Sequence, residues 1–148
     1  MRARSGFSLA ELVIVVAIVS ILAAMALPRL PYEALGRKRG EVSAAQMAAR
    51  LRLTRQLAIT NAATNRTGFR LEMIGGAPYK AYRIVNADTA DVVVSDTIDE
   101  KVLCTGTSVM TFNSLGALVE GQAQLTFSAE GQTATLSVVG ATGAVIYE

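Results

Sequence analysis

The residues with the most chemical leverage sit at one end of the chain. Gly6, Phe7 and Glu11 stand between a short leader carrying Arg2 and Arg4 and an apolar run, Leu12 to Leu27, interrupted only by Ser20. A carboxylate at the opening of such a run is costly to bury without a partner, so Glu11 points to a pairing or a function. Gly6 ahead of Phe7 leaves the backbone at that point with no side chain to cover it. The rest of the chain is chemically sparse. It has no histidine, which excludes histidine-dependent triads and histidine-ligated metals. Cys104 is the single cysteine and reads as a small buried hydrophobe after Val102-Leu103, with no partner for a disulfide or a thiolate cluster. Asp96, Asp99 and Glu100 form the main carboxylate cluster, within a polar segment expected to be a loop, where they read as solvating groups rather than an acid–base pair. Their spacing lacks the glycine and bidentate pattern of a calcium loop. No catalytic residue, metal or cofactor is expected.

These residues must be positioned by the element that follows. Phe7 to Leu27 is 21 residues, about 31 Å as a helix, which matches the thickness of a bilayer core. Arg2 and Arg4 precede it, and Arg29, Arg37, Lys38 and Arg39 follow it, so a simple charge count does not set its orientation. A secretory signal cleaved near Ala23-Ala24-Met25-Ala26 is one reading. It leaves both Gly6-Phe7 and Glu11 unexplained.

The order Gly6, Phe7, Ser8, Leu9, Ala10, Glu11, followed by the apolar run and Pro28, resembles the class III signal of the type IV pilin superfamily. That resemblance implies cleavage between Gly6 and Phe7 by a membrane-embedded prepilin peptidase on the cytoplasmic side, and N-methylation of Phe7. It implies that the helix is retained as a single inner-membrane span with the remainder in the periplasm. It also implies that Glu11 serves subunit assembly by pairing with the amine of Phe7, on its own or a neighbouring chain. Arg2 and Arg4 would hold the leader at the anionic cytoplasmic face.

The chain has 148 residues with 14 Lys plus Arg against 12 Asp plus Glu, a size for one domain with one modest core. Losing Arg2 and Arg4 brings the side-chain balance to zero, so nothing global asks for nucleic acid. Residues 1–70 carry eleven basic and three acidic side chains, and residues 71–148 carry three basic and nine acidic. This asymmetry fits head-to-tail packing of copies as well as it fits a solvated surface.

Pro28 and Pro31 interrupt the helix, and Gly36 and Gly40 bracket Arg37-Lys38-Arg39 as a basic turn, either at lipid headgroups or as a solvated connector. From Glu41 to about Asn65 good helix formers dominate. Val42, Ala45, Ala49, Leu53 and Leu57 fall on one side; Met47, Leu51, Ala58 and Ala62 fall near the other. Two stripes suggest one for the chain's own sheet and one for neighbouring subunits. Arg50, Arg52 and Arg55 between them read as a solvated or salt-bridged flank. After Asn65 the pattern becomes short alternating runs at 67–74, 79–85, 91–95, 101–105, 109–113, 123–129, 133–139 and 144–147, joined by glycine-bearing turns. The expected fold class is α+β: a long N-terminal membrane and filament helix with an antiparallel β-sheet domain, divided as leader 1–6, helix 7–28, basic linker 29–40 and periplasmic domain 41–148.

This order of parts, with Leu51-Arg52-Leu53-Thr54-Arg55-Gln56-Leu57-Ala58 and a closing Thr142-Gly143-Ala144-Val145-Ile146, looks like the GspH/FimT branch of that superfamily. The branch implies a minor pseudopilin of a type II secretion system, or else a FimT-like minor pilin of a type IV pilus; both are filament subunits rather than enzymes. The implied partners are the prepilin peptidase, other pseudopilins or pilins, an inner-membrane assembly platform, the lipid bilayer and exoprotein cargo. DNA-uptake members carry arginines after the last Thr-Gly. Here the chain reads Ala144-Val145-Ile146-Tyr147-Glu148, which speaks against DNA as a partner.

Overall fold

The computed structural model describes residues 8–26 and 38–147, which belong to two compact units, 1–33 and 34–148. The first contains helix α1, Leu9–Ala26. Its apolar side chains are exposed, from Val15 at 48% to Leu9 at 81%. Its 18 residues span about 27 Å at the helical rise, somewhat less than a bilayer core. Among the described residues no helix is long and apolar enough to cross a membrane. Phe7 and Leu27, which complete the apolar run of the sequence, lie outside the described residues, as do Pro28, Pro31 and most of the basic linker.

The second unit opens with α2, Arg39–Thr60, followed by eight strands: β1 Phe69–Ile74, β2 Ala81–Asn86, β3 Val92–Thr97, β4 Leu103–Gly106, β5 Val109–Phe112, β6 Gln122–Ala129, β7 Gln132–Val139 and β8 Ala144–Tyr147. All eight runs of alternating sequence are strands. They form two antiparallel four-stranded sheets, ordered β3-β2-β1-β5 and β4-β6-β7-β8. The fold class is α+β, as expected.

Period-two alternation gives each sheet one apolar face. In β6 and β7 the inward residues stand opposite one another, Ala123 to Val138, Leu125 to Leu136 and Phe127 to Ala134. In the other sheet Leu71 faces Ile84 and Met73 faces Tyr82, while β1 also pairs with β5, placing Leu71 opposite Met110. The two-residue turn from β6 to β7 has positive φ at Glu130 and Gly131, the type I′ geometry that follows the natural twist of a hairpin.

Helix α2 seals the core. Met47, Ala48, Leu51 and Ala58 are buried with Leu71, Ile84, Met110, Phe112, Leu125, Phe127 and Leu136. So it is the stripe containing Met47 and Leu51 that faces the sheets, whereas Val42 is 53% exposed and Ala45 and Ala49 face outward. Leu53 and Leu57 pack along the margin of the core. The helix starts at Arg39, inside the segment read from the sequence as a basic turn. Gly40 is buried in its first turn, where a Cβ would meet the Phe127 carbonyl at 3.4 Å and the Ala129 Cβ at 3.7 Å. Gly40 is thus part of the helix's packing against β6 rather than a chain reversal. At the other end Asn61 caps the helix, its backbone N–H and its Nδ2 both donating to the Leu57 carbonyl, at 3.0 and 2.9 Å.

The connection from α2 to β1 is pinned by buried Asn65. Its Nδ2 donates to the Gly68 carbonyl at 2.7 Å and to Asn86 Oδ1 at 2.8 Å, and its Oδ1 accepts from the Gly68 N–H at 2.6 Å. Asp88 accepts the backbone N–H groups of Arg66 and Thr67, so the end of the helix is tied to the β2–β3 turn.

Candidate functional site: the capped start of α1 and the charged seam of α2

Ser8 caps α1. The Glu11 N–H donates to Ser8 Oγ at 3.3 Å and to the Ser8 carbonyl at 3.1 Å, and the Leu12 N–H reaches the same carbonyl at 3.2 Å. Helix starts leave several N–H groups without partners, and a serine followed three residues later by glutamate is the spacing that answers this. Glu11 thus occupies the third helical position, where a carboxylate is also favoured by the helix dipole. The sequence reading gave Glu11 a pairing role and overlooked Ser8; the Ser-x-x-Glu spacing was the available signal. Ser20, the other polar side chain of α1, donates its hydroxyl to the Val16 carbonyl one turn back at 2.7 Å. The helix is therefore able to satisfy every polar group in its middle by itself, leaving the Glu11 carboxylate as its one charge. Gly6 and Phe7 lie outside the described residues.

The second cluster lies where α2 meets β3. Arg50 Nε donates to the Tyr82 hydroxyl at 3.0 Å, and Arg50 Nη2 and the Tyr82 hydroxyl both donate to Asp96 Oδ2, at 3.2 and 3.3 Å. Burial pushes the Tyr82 phenol above its ordinary value, with Arg50 opposing it. The Arg50 guanidinium is held more firmly protonated, chiefly by its bond to Tyr82. The Asp96 carboxyl is lowered, first by the Thr97 N–H that it accepts and then by Tyr82 and Arg50. About three turns earlier, at the helix start, Arg39 lies 4.0 Å from Asp99. The basic helix and the acidic second half of the chain thus neutralise each other partly within one molecule.

These contacts correct one expectation and sharpen two. Asp96 belongs to β3 rather than to a loop, because Ile98 is buried just beyond it and draws the strand inward. Asp96 and Asp99 each face a different arginine. Of the three arginines between the two stripes, Arg50 is ion-paired, Arg55 donates Nε to the Gly116 carbonyl at 3.1 Å, and Arg52 is exposed. Cys104 is fully buried, and desolvation pushes its thiol up to about 12.

Residues 1–27 match the family model described as the prokaryotic N-terminal methylation motif. Among solved structures, the chain is similar to the type IV minor pilin FimU of Pseudomonas aeruginosa PAO1, with a TM-score of 0.62 and 17% identity over 76% of this chain and 90% of that one. At that identity the likeness is one of fold. No curated protein matches the chain.

Proposed function

We propose that this type IV pilin-like chain is a minor filament subunit: cut between Gly6 and Phe7, methylated on Phe7, and anchored in the inner membrane by the segment containing α1, with residues 41–148 as its periplasmic domain. The observation that carries the reading is a conjunction. A methylation-type signal covers residues 1–27, and a minor-pilin fold covers most of the remainder. Either alone is compatible with other anchored proteins; together they describe a subunit built to be processed and then drawn into a helical bundle.

The pilus version takes support from the likeness to FimU. The type II secretion pseudopilus is the second reading, supported by the GspH-like order of parts and by a final strand, Ala144–Tyr147, that carries no arginine for nucleic acid. Under both, the chain acts by assembly rather than by catalysis. Its partners are the prepilin peptidase, other pilins or pseudopilins and an assembly platform, with exoprotein cargo under the secretion reading.

Transfer from lipid into a filament core exchanges one apolar environment for another, so the α1 side chains lose little hydrophobic stabilisation in the move. Glu11 is the exception. Paired with the Phe7 amine of a neighbour it would become a buried ion pair that sets register.

Mass spectrometry of the mature N-terminus tests processing: the expected species begins with N-methylated Phe7. A chain beginning at Met1, or one cut after Ala26, removes the basis of the proposal. Comparing sheared surface filaments with the periplasmic fraction then separates the pilus from the pseudopilus.

A further inference from the structure

Between β5 and β6 a tightly held loop leaves its largest apolar side chain in water. The Leu115 and Ala117 N–H groups both donate to Asn113 Oδ1 at 3.0 Å, the Gly116 N–H donates to the Asn113 carbonyl at 2.8 Å, and the Asn113 N–H donates to the Ala117 carbonyl at 2.9 Å. Two other segments hold the far side of the loop: the Val119 N–H donates to the Thr111 carbonyl at 2.8 Å and the Leu118 N–H to the Gly140 carbonyl at 2.9 Å. At the tip, Arg55 Nε donates to the Gly116 carbonyl, and a Cβ on Gly143 would collide with that same oxygen. Leu118 is buried by this arrangement. Leu115 is 83% exposed, the highest value for a large apolar side chain among the described residues.

The apolar surface continues onto α2. Ile59, 43% exposed, also lies against Gly116, where a Cβ would meet Ile59 Cδ1 at 2.7 Å. Arg52, Arg55 and Ile59 are spaced to share one face of the helix, and α2 has no acidic side chain after Glu41. An apolar centre with arginine at its margin is the make-up of a protein interface. A loop already fixed in shape loses little entropy on docking. The patch also stands at the end of α2 opposite to Arg39, where the chain enters the helix, about 30 Å away along the axis.

We propose that Leu115 is the anchor by which this chain docks one different pilin-like subunit, at an apolar cleft rimmed by carboxylates. The arginines select the rim, and a single projecting leucine on a rigid tip selects a cleft over a flat face. The choice of an unlike subunit rests on the proposed function: a minor subunit meets chains other than its own, whereas a head-to-tail contact between copies would repeat without end. In a filament of such helices, the end of α2 remote from the chain's entry is met by the next subunit along.

The test uses the full chain in membranes of its own cells, with the photo-cross-linker p-benzoylphenylalanine in place of Leu115 and, as a control, in place of Val92, a half-exposed apolar residue of β3. The expected result is one main adduct from position 115 and little from position 92, its second chain identified by mass spectrometry as a polypeptide with its own N-methylated N-terminus. Arg52→Glu should lower the yield several-fold and Arg52→Lys should preserve it. Leu115→Ala, at unchanged melting temperature and membrane level, should reduce recovery with sheared filaments roughly tenfold, the scale for truncating an interface anchor. An adduct of the chain with itself, a partner lacking a methylated N-terminus, equal yields at both positions, or no adduct at normal membrane level would each overturn the proposal. An Arg52→Glu variant that cross-links like wild type would overturn the carboxylate rim. The N-terminus is read on the same samples: a chain starting at Met1 counts against the pilin reading itself, whereas methylated Phe7 without an adduct counts against this contact alone.

Discussion

Arg50 on α2 and Asp96 on β3, 46 residues apart in sequence, meet at 3.2 Å with the Tyr82 hydroxyl bonded to both. The ion pair is partly exposed, its side chains at 37% and 47% accessibility, so solvent screens most of its attraction. The phenol is the more buried member. Tyr82→Phe should therefore cost about 1 kcal/mol of stability, read as a lower urea midpoint with an unchanged slope. A double variant with Arg50→Ala should lose less than the two single losses combined, because the same hydrogen bond is deleted twice.

The same cluster gives a dependence on acid. The carboxyls of Asp96 and Asp88 sit below their ordinary 3.8 in the folded chain, Asp96 chiefly through the Thr97 N–H and Asp88 chiefly through Thr67. A lowered folded value means that the contribution is complete above the ordinary value and fades as pH falls through the lowered one. Thermal melts should lose stability below about pH 4. Asp96→Asn should make that acid limb shallower and leave the neutral plateau closer to its acid value.

Glycine positions separate crowded backbone from merely unusual backbone. Gly68 has φ +97°, and a Cβ there would lie 1.9 Å from the Phe112 carbonyl, whereas Gly75 has φ +89° with nothing within 4 Å. Gly75→Ala should cost about 1–2 kcal/mol from conformation alone. Gly68→Ala must also part β1 from β5, and it should unfold the domain or lower its melting point several times further.

Much of this architecture was legible in the sequence because burial in a two-layer β domain leaves a period-two mark, as in Ala123-Gln124-Leu125-Thr126-Phe127. The division into two sheets was not, since it depends on β4 leaving for the second sheet while β5 returns to the free edge of β1. Both stripes of α2 could be seen, but not which faced inward. That choice follows from Met47 and Leu51 joining the same core as Leu71 and Leu125, a property of the assembled domain rather than of the helix. The meeting of Arg50, Tyr82 and Asp96 was equally hidden, since it needs the fold to bring three distant segments together. Ser8 and Glu11 lie close in sequence, and their spacing was readable before any fold.

Cys104 should be inert in the folded state. It is buried and its thiol is pushed up to about 12, so almost no thiolate exists at neutral pH. Ellman's reagent should react only after denaturation. Cys104→Ser should destabilise more than Cys104→Ala, because a buried hydroxyl without a partner costs about 1–3 kcal/mol.

Two roles for Glu11 can be separated by substitution: its place at the third helical position, beside the cap that Ser8 Oγ gives its backbone N–H, and the proposed pairing of its carboxylate with the amine of Phe7. Ser8→Ala removes the cap oxygen and should cost the first turn about 1 kcal/mol while leaving the carboxylate in place. Glu11→Gln does the reverse, since glutamine still suits the third helical position but carries no charge. If assembly depends on pairing, Glu11→Gln should be cleaved and inserted at wild-type levels yet be depleted from sheared filaments. Stranding a buried amine costs on the order of 3–5 kcal/mol, and a wet one about 1 kcal/mol or less. Ser8→Ala should then incorporate nearly normally. The opposite result, with Ser8→Ala excluded and Glu11→Gln retained at equal membrane abundance, would make Glu11 a helix-capping residue and leave the Phe7 amine without its proposed partner.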